Sequence, residues 1–288
     1  MAGSKKAFCL TIDIEECALP QEFGGRPLGE EESLNLSEAG AHRLLRIIKS
    51  EGIRATFFVT GFFASKRPGI VKEITDMGNE VANHGLMHYG PQLWPGEPDD
   101  ILKSGEILKR VAGARPLGYR GPLLRIWPGM VGALKRLGYA YDSSILPAYV
   151  PGRYNRLRIR PTPFAWDCGK AGRLIEIPIS VTPILRIPAG WWWFRKNFGD
   201  RICGFCFDAI WRRGLPVVCN IHSWELSELP KMERVPAHVK FNCGAASEAQ
   251  VRGIIAHGKN AGAEFLTMLD LAEGLSENIE GLDLIKPI

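Results

Sequence analysis

A chain of 288 residues that is 45% hydrophobic and 23% charged has the apolar material for one large folded domain and is not broadly disordered. Its 36 Lys and Arg against 31 Asp and Glu leave a formal charge of +5, an excess too mild to imply nucleic acid. No stretch approaches the roughly 18 apolar residues of a membrane span, the polar start Met1–Lys6 reads as no secretory segment, and seven scattered cysteines read as reduced thiols; together these predict a cytoplasmic protein.

Short strand-like runs rich in β-branched and aromatic residues recur along the chain. They are Ala7–Ile12, Arg54–Val59, Glu80–Asn83, Leu117–Arg120, Tyr139–Asp142, Leu174–Ile177, Val217–Ile221 and Glu264–Leu266. Helical patterns separate most of them. Ser37 is expected to cap a helix to Ser50 that ends before Gly52, and Pro68 to open one closed by Gly78. Asp99 is placed as the next cap, and further helices are predicted at Gly129–Leu137, Phe198–Arg213 and Ser247–Gly262. Cys203 and Cys206 form a C-x-x-C with no second pair to complete a zinc ribbon, so they read as helix-face residues. Two stretches, Pro147–Arg173 and Ser227–Gly244, read as loops.

Repeated alternation of strand and helix predicts an α/β fold with a mostly parallel sheet. A closed or nearly closed β/α barrel is the first choice and an open doubly wound sheet the alternative. One domain spans 7–270, with 271–288 an unassigned C-terminal extension.

Either architecture gathers its chemistry at the C-terminal ends of the strands, where Asp13, His84, Arg120, Asp142 and His222 all fall. His84 and His88, four apart, would point the same way on a helical turn, and Asp13 and Glu15, two apart, share a face of an extended strand end. Imidazoles and a carboxylate are the donors a catalytic divalent metal takes, so one of the two acids can bind metal while the other takes a proton from water.

The order of blocks is similar to a known family. Leu10-Thr-Ile-Asp-Ile-Glu15, Ala55-Thr-Phe-Phe-Val-Thr-Gly61, Glu80-Val-Ala-Asn-His-Gly-Leu-Met-His88, Gly118-Tyr-Arg-Gly-Pro122, Leu137-Gly-Tyr-Ala-Tyr-Asp-Ser-Ser-Ile145 and Asn220-Ile-His-Ser-Trp-Glu225 occur in that sequence. In this the chain resembles the polysaccharide deacetylases of the NodB-homology group, carbohydrate esterase family 4, nearest their exopolysaccharide-associated branch. The resemblance implies a distorted β/α barrel and metal-dependent removal of N-acetyl groups from sugars. It makes Asp13 the base, Glu15, His84 and His88 the metal ligands, Arg120 the partner of the base and His222 the acid that protonates the leaving amine. Zn²⁺ is the expected metal, and the N–H of Leu123 the oxyanion donor. Two departures stand out: Asp13-Ile14-Glu15 replaces an adjacent aspartate pair, which leaves Glu16 as a competing ligand, and Leu123 stands where an aromatic residue is common.

Asp142 reads either as a second-layer partner of Arg120 or His222, or as a strand-end cap through Ser143 and Ser144. Trp192, in the Trp191–Trp193 run, and Trp224 are expected to wall the substrate pocket, since aromatic faces suit sugar rings. The loop bearing Arg153, Arg156, Arg158 and Arg160 suggests a lipid-linked, pyrophosphate-bearing N-acetylated glycan met by peripheral contact at the inner membrane face, with no nucleic-acid partner. Two other activities fit the same residues: hydrolysis of a non-sugar amide or formamide, and a catalytically silent carbohydrate-binding role.

Overall fold

The computed structural model describes residues 5–88 and 98–287. The chain runs β1 (Ala7–Ile14), α1 (Leu19–Glu22), α2 (Glu30–Glu51), β2 (Thr56–Val59), α3 (Gly61–Lys66), α4 (Pro68–Asp76), β3 (Glu80–Asn83), α5 (Pro98–Ala112), β4 (Gly118–Tyr119), α6 (Pro128–Arg136) and β5 (Tyr141–Asp142). A short hairpin follows, β6 (Tyr149–Val150) and β7 (Tyr154–Asn155), then β8 (Phe164–Asp167) and β9 (Arg173–Glu176). The remainder is α7 (Trp192–Phe198), α8 (Asp200–Trp211), β10 (Val217–His222), α9 (Ala237–Lys240), α10 (Ala245–Asn260), β11 (Glu264–Phe265), α11 (Met268–Ser276) and β12 (Leu284–Ile285). Among the described residues, no helix is long and apolar enough to cross a membrane.

The main sheet has the order β10-β1-β2-β3-β4-β5-β9-β8-β12, with β11 also on β1. Pairing is parallel except between β8 and β9. Among the described residues no ladder joins β9 to β10. The ring closes instead through the irregular segment 177–190: Ser180 N donates to Val218 O at 3.1 Å, and Asn220 N to Gly190 O at 2.7 Å. The result is a distorted barrel of α/β type in place of the doubly wound alternative.

Period-two alternation decides what faces where. Along β1, Phe8, Leu10, Ile12 and Ile14 pack outward with Leu44 and Ile48 of α2 and Ile254 of α10. Cys9 points inward among Phe58, Tyr141, Val218 and Met268. Each such buried side chain contributes about 1.5–3 kcal/mol of transfer free energy. Thr11, Asp13 and Glu15 continue the inner face to the rim, where polar groups replace apolar ones.

Several expected boundaries move. α2 begins at Glu30, so Ser37 lies buried inside the helix and caps nothing; three glutamates in the first turn suit the helix N-terminus. Pro98 opens α5, which puts Asp99 in its first turn. The amphipathic run 198–213 is broken at Gly199, whose φ of 85° favours glycine, and Phe198 belongs to α7. The stretch read as a loop from Pro147 to Arg173 contains β8, anchored by the buried Trp166, whose Nε1 donates to Glu176 Oε2 at 3.1 Å. Leu284 and Ile285, in the stretch without a sequence assignment, pair with Ala165 and Trp166.

A Cβ on Gly190 would meet Val218 O at 2.2 Å and Ser180 N at 2.8 Å, backbone atoms of the closure itself. Gly190→Ala should therefore destabilise the protein by about 1–3 kcal/mol, read as a lower urea midpoint. Gly69→Ala, with nothing within 4 Å, should be neutral. Equal midpoints for both variants would show that the closure gives way freely.

Candidate active site

The strand ends bring the predicted groups to one rim. Asp13 is in β1 with Glu15 just beyond it; His84 follows β3, Arg120 follows β4, and His222 ends β10. His84 and His88 do not share a helical turn. Residues 84–88 are irregular, and Gly85 turns the chain at φ 75°, where a side chain is disfavoured. The two rings nevertheless converge, centroids 5.5 Å apart, on one acceptor.

That acceptor is Glu15 Oε2, 3.2 Å from His84 Nε2 and 2.9 Å from His88 Nε2. His84 Nδ1 lies 2.7 Å from Arg120 O, a group that can only accept, so Nδ1 carries a proton and Nε2 is the nitrogen that faces the cluster. Among the described residues, donor atoms of Glu15, His84 and His88 lie within 4.8 Å of one another, and all three residues are buried. Two imidazoles and one carboxylate, with second-layer bonds fixing their direction, fit a divalent cation. Burial works against ionising Glu15, but the charges of His88 and His222 and bonds from His84 and His88 hold its carboxyl well below the usual range. Burial likewise opposes the His88 cation, yet Glu15 raises it to about 9.

Glu16 does not join this set. Its Oε1 accepts from His88 N at 2.6 Å and its Oε2 from Thr60 Oγ1 at 3.2 Å, so it fixes the backbone of His88.

Asp13 is gripped from three sides. Arg120 NH1 donates to Oδ1 at 2.7 Å, Asn220 Nδ2 donates to Oδ2 at 2.7 Å, and His222 Nε2 stands 3.8 Å from Oδ2. Burial works to raise its pKa, but Arg120, then His84 and His222, outweigh it and hold the carboxyl below the usual range. Arg120 is itself fully buried. Its other donors go to Thr11 Oγ1, Ser143 O and Ser143 Oγ, and its guanidinium lies 4.0 Å from the centroid of Phe58.

A narrow pocket, with a cavity volume of about 40 Å³, opens over these groups. Leu123, Trp192 and Trp224 line it, as do Trp191 and Arg153. Trp224 Nε1 also donates to Glu15 Oε1 at 3.2 Å. Leu123 and Leu124 both adopt positive φ, 56° and 54°, a strained conformation for leucine, and Leu123 N points toward His88 Nε2 at 3.4 Å. Asp142 Oδ1 accepts from Ser144 Oγ at 2.6 Å, and Ser144 Oγ accepts from Gly121 N at 2.8 Å. Asp142 thus supports the loop that carries Leu123. Burial raises its carboxyl to about 6 and holds that of Glu176 well above the usual range, and the two share a hydrogen bond.

The arginine loop is mostly committed to the fold. Arg156 donates to Ser144 O and Leu124 O, Arg153 pairs with Glu22 and Arg160 with Asp283. Arg158 is exposed and has no side-chain partner among the described residues.

Sequence reasoning gave no role to Glu225 and Arg195. Glu225 Oε1 accepts from His222 N at 2.6 Å and lies 3.3 Å from His222 Nδ1, while Oε2 meets Arg195 NH2 at 2.5 Å. Both partners of this ion pair are fully buried. Burial would lower the His222 pKa, but Glu15, the Glu225 bond and Asp13 raise it above the usual imidazole value. Glu225 stood in the quoted block after His222; Arg195, 30 residues away, carried no local signal.

A family model described as polysaccharide deacetylase matches residues 31–141, which include His84, His88 and Arg120. The match to the polysaccharide deacetylase family is therefore to this segment. The chain is 38% identical over 199 residues to the peptidoglycan deacetylase-like protein FGM2 of Gibberella zeae, covering 66% of this chain and 54% of that one. It is 32% identical over 128 residues to the peptidoglycan deacetylase of Helicobacter pylori, 43% of this chain and 44% of the relative. The chain thus spans about half the length of these curated relatives. In fold, this chain resembles a protein assigned as a polysaccharide deacetylase from Mycobacterium smegmatis, with TM-score 0.68 at 21% identity over 99% of this chain and 94% of the other. It also resembles an allantoinase, with TM-score 0.67 at 18% identity over 96% and 92% of the two chains.

Glu225→Gln should leave Arg195 a buried cation without its counter-charge, costing about 3–5 kcal/mol. Arg195, held below the surface by Ser247 and Gln250 as well, cannot turn to solvent. Adding Arg195→Met should recover part of the loss. Arg195 is the main charge that holds the Glu225 pKa below 4.5 against burial. The stabilisation therefore persists above that value and is lost as pH falls through the depressed one. Urea titrations of wild type and both variants across that range check the sign; a gap that widens in acid would refute it.

Proposed function

We propose that this chain is a metal-dependent N-deacetylase acting on an N-acetylated sugar of a glycan. One observation carries the reading: Asp13, ion-paired to Arg120, stands within reach of both the Glu15–His84–His88 cluster and His222, so base, metal donors and acid share one small pocket.

Glu15, His84 and His88 would hold the metal, which when bound supplies a Lewis acid and lowers the pKa of water. Zn²⁺ suits two imidazoles and a carboxylate. The other residues perform the proton work. Asp13, kept ionised and aimed by Arg120 and Asn220, takes a proton from the attacking water. The N–H of Leu123, turned into the pocket by its positive φ, donates to the oxygen that gains charge in the tetrahedral state. His222 gives its proton to the departing sugar amine, which cannot leave as an anion. Its Nδ1–H faces Glu225, so Nε2 is the nitrogen directed at the pocket. Trp192 and Trp224 present indole surface to the ring, packed edge-to-face with centroids 5.4 Å apart.

A lipid-linked glycan is the finer reading of the substrate; Arg153, on the pocket wall, would exchange Glu22 for its phosphate group. Location in the cytoplasm, at the inner face of a membrane, belongs to the same proposal; the seven free thiols suit a reducing compartment.

Activity should fall at low pH as Asp13 takes up a proton and at high pH as His222 loses one. His84→Ala and His88→Ala should each abolish turnover and the one equivalent of zinc measured by mass spectrometry, whereas Asp13→Asn should keep the zinc and lose about 10² to 10⁴ in rate. Zinc content unchanged in both histidine variants would overturn the metal assignment.

His222→Ala should slow acetate release from N-acetylated oligosaccharide strongly, and hydrolysis of an activated acetyl ester much less, because that leaving group needs no proton. Equal losses on the two substrates would rule out the acid role.

A further inference from the structure

The flank of the barrel beside the closure carries an apolar surface that the active site does not use. Ile184 and Leu185, at the tip of the turn 182–187, are 75% and 76% exposed, and Phe205, on the outer side of α8, is 74% exposed. With Ile202 they line one groove, bordered by Arg212 and Arg213. The turn is held closed: Thr182 N donates to Ile187 O at 2.9 Å, and Ile187 N to Thr182 Oγ1 at 3.0 Å. Arg186, inside the turn, points back to Ile159 O at 3.0 Å, which leaves the two apolar residues before it facing out. Clustered large side chains this exposed mark a contact surface.

Charge selects the occupant. The acids of α8 are turned toward α10: Asp208 meets His257 at 3.1 Å, and Asp200 lies against Gly253. Arg201, Arg212 and Arg213 are exposed, and among the described residues none has an ion pair or side-chain hydrogen bond. Arg201 and Phe205 of α8 and Arg212, at its C-terminal end, recur at helical spacing on one side. The face therefore has an apolar centre and a cationic border. A second copy of the chain, docked by two-fold symmetry, would set arginine against arginine.

We propose that this face seats on an anionic phospholipid surface, with Ile184, Leu185 and Phe205 entering the headgroup region and the arginines of α8 meeting phosphates. Aliphatic tips with arginines beside them match the layering of such an interface, apolar below and anionic above. The surface differs from the Arg153–Arg160 loop, whose cations are largely spent on carbonyl and carboxylate partners. It does not rest on the deacetylase reading, because lipid binding is measured without a glycan. α7 connects it along the chain to Trp192 of the pocket.

The test is co-sedimentation of the full chain with phosphatidylcholine vesicles, with and without phosphatidylglycerol. The wild type should bind only the mixed vesicles and dissociate as salt rises. Ile184→Ser/Leu185→Ser/Phe205→Ser should lower the bound fraction at least about tenfold, and Arg212→Glu/Arg213→Glu should do the same through charge. Both variants should keep the wild-type melting temperature and acetate release from a soluble oligosaccharide. No binding of the wild type to mixed vesicles would overturn the proposal. So would a wild-type dimer in sedimentation velocity that the triple variant lacks, since a second copy would then be the occupant.

Discussion

The buried Arg120–Asp13 pair is the constraint around which the barrel end is built. A guanidinium with no exposed surface must place each donor, and Arg120 does so through Asp13, Thr11 and Ser143, above the ring of Phe58. Those partners sit on different strands. The cation therefore fixes the relative height of β1, β4 and the segment after β5. Breaking a buried pair costs several kcal/mol because one charge is stranded, although forming it contributes little net stability. Its value here is orientation: the Asp13 carboxylate cannot rotate away from the Glu15–His84–His88 cluster.

A second pair repeats this logic one layer out. Arg195 and Glu225 are fully buried, and through them α7 and α10 reach the backbone and ring of His222. Lys196, the next residue, is also fully buried, with its Nζ 2.6 Å from Val239 O and 5.2 Å from the ring centroids of both Trp192 and Trp224. Asp13 is thus backed by a cation and an amide, and His222 by a carboxylate that Arg195 holds in place. Separation of roles follows from separate supports: Arg120 acts on Asp13, while Glu225 acts on His222.

Much of the rim was readable in the residues because strand ends and chemical type coincide. Asp13, Glu15, His84, Arg120 and His222 are recognisable from alternation and position alone. What escaped has physical causes. β8 hides in a segment with Pro161 and Pro163 and joins the sheet antiparallel, against the prevailing direction. The start of α2 is a run of glutamates, which carries no apolar periodicity. Gly199 splits a continuous amphipathic pattern because its conformation, and not its hydropathy, ends the helix. The Arg156 contacts are to carbonyl oxygens, which no residue type announces, so a basic loop looked like a binding surface. Arg195 pairs with Glu225 across 30 residues, a distance over which local patterns say nothing.

The closure through 177–190 divides the molecule into parts that tolerate change differently. In a ladder, a one-residue shift turns every side chain to the opposite face, so the strands bearing Asp13, His84 and Arg120 are locked in length as well as in sequence. The closure has anchor points at Ser180 and Gly190 and no ladder between them. Residues gained or lost from 181 to 189 need not propagate into the catalytic strands. Trp191 and Trp192 follow directly after the second anchor. The pocket wall can therefore be reshaped by descent while the rim residues stay in register, which makes this segment the natural place for related chains to diverge in pocket shape.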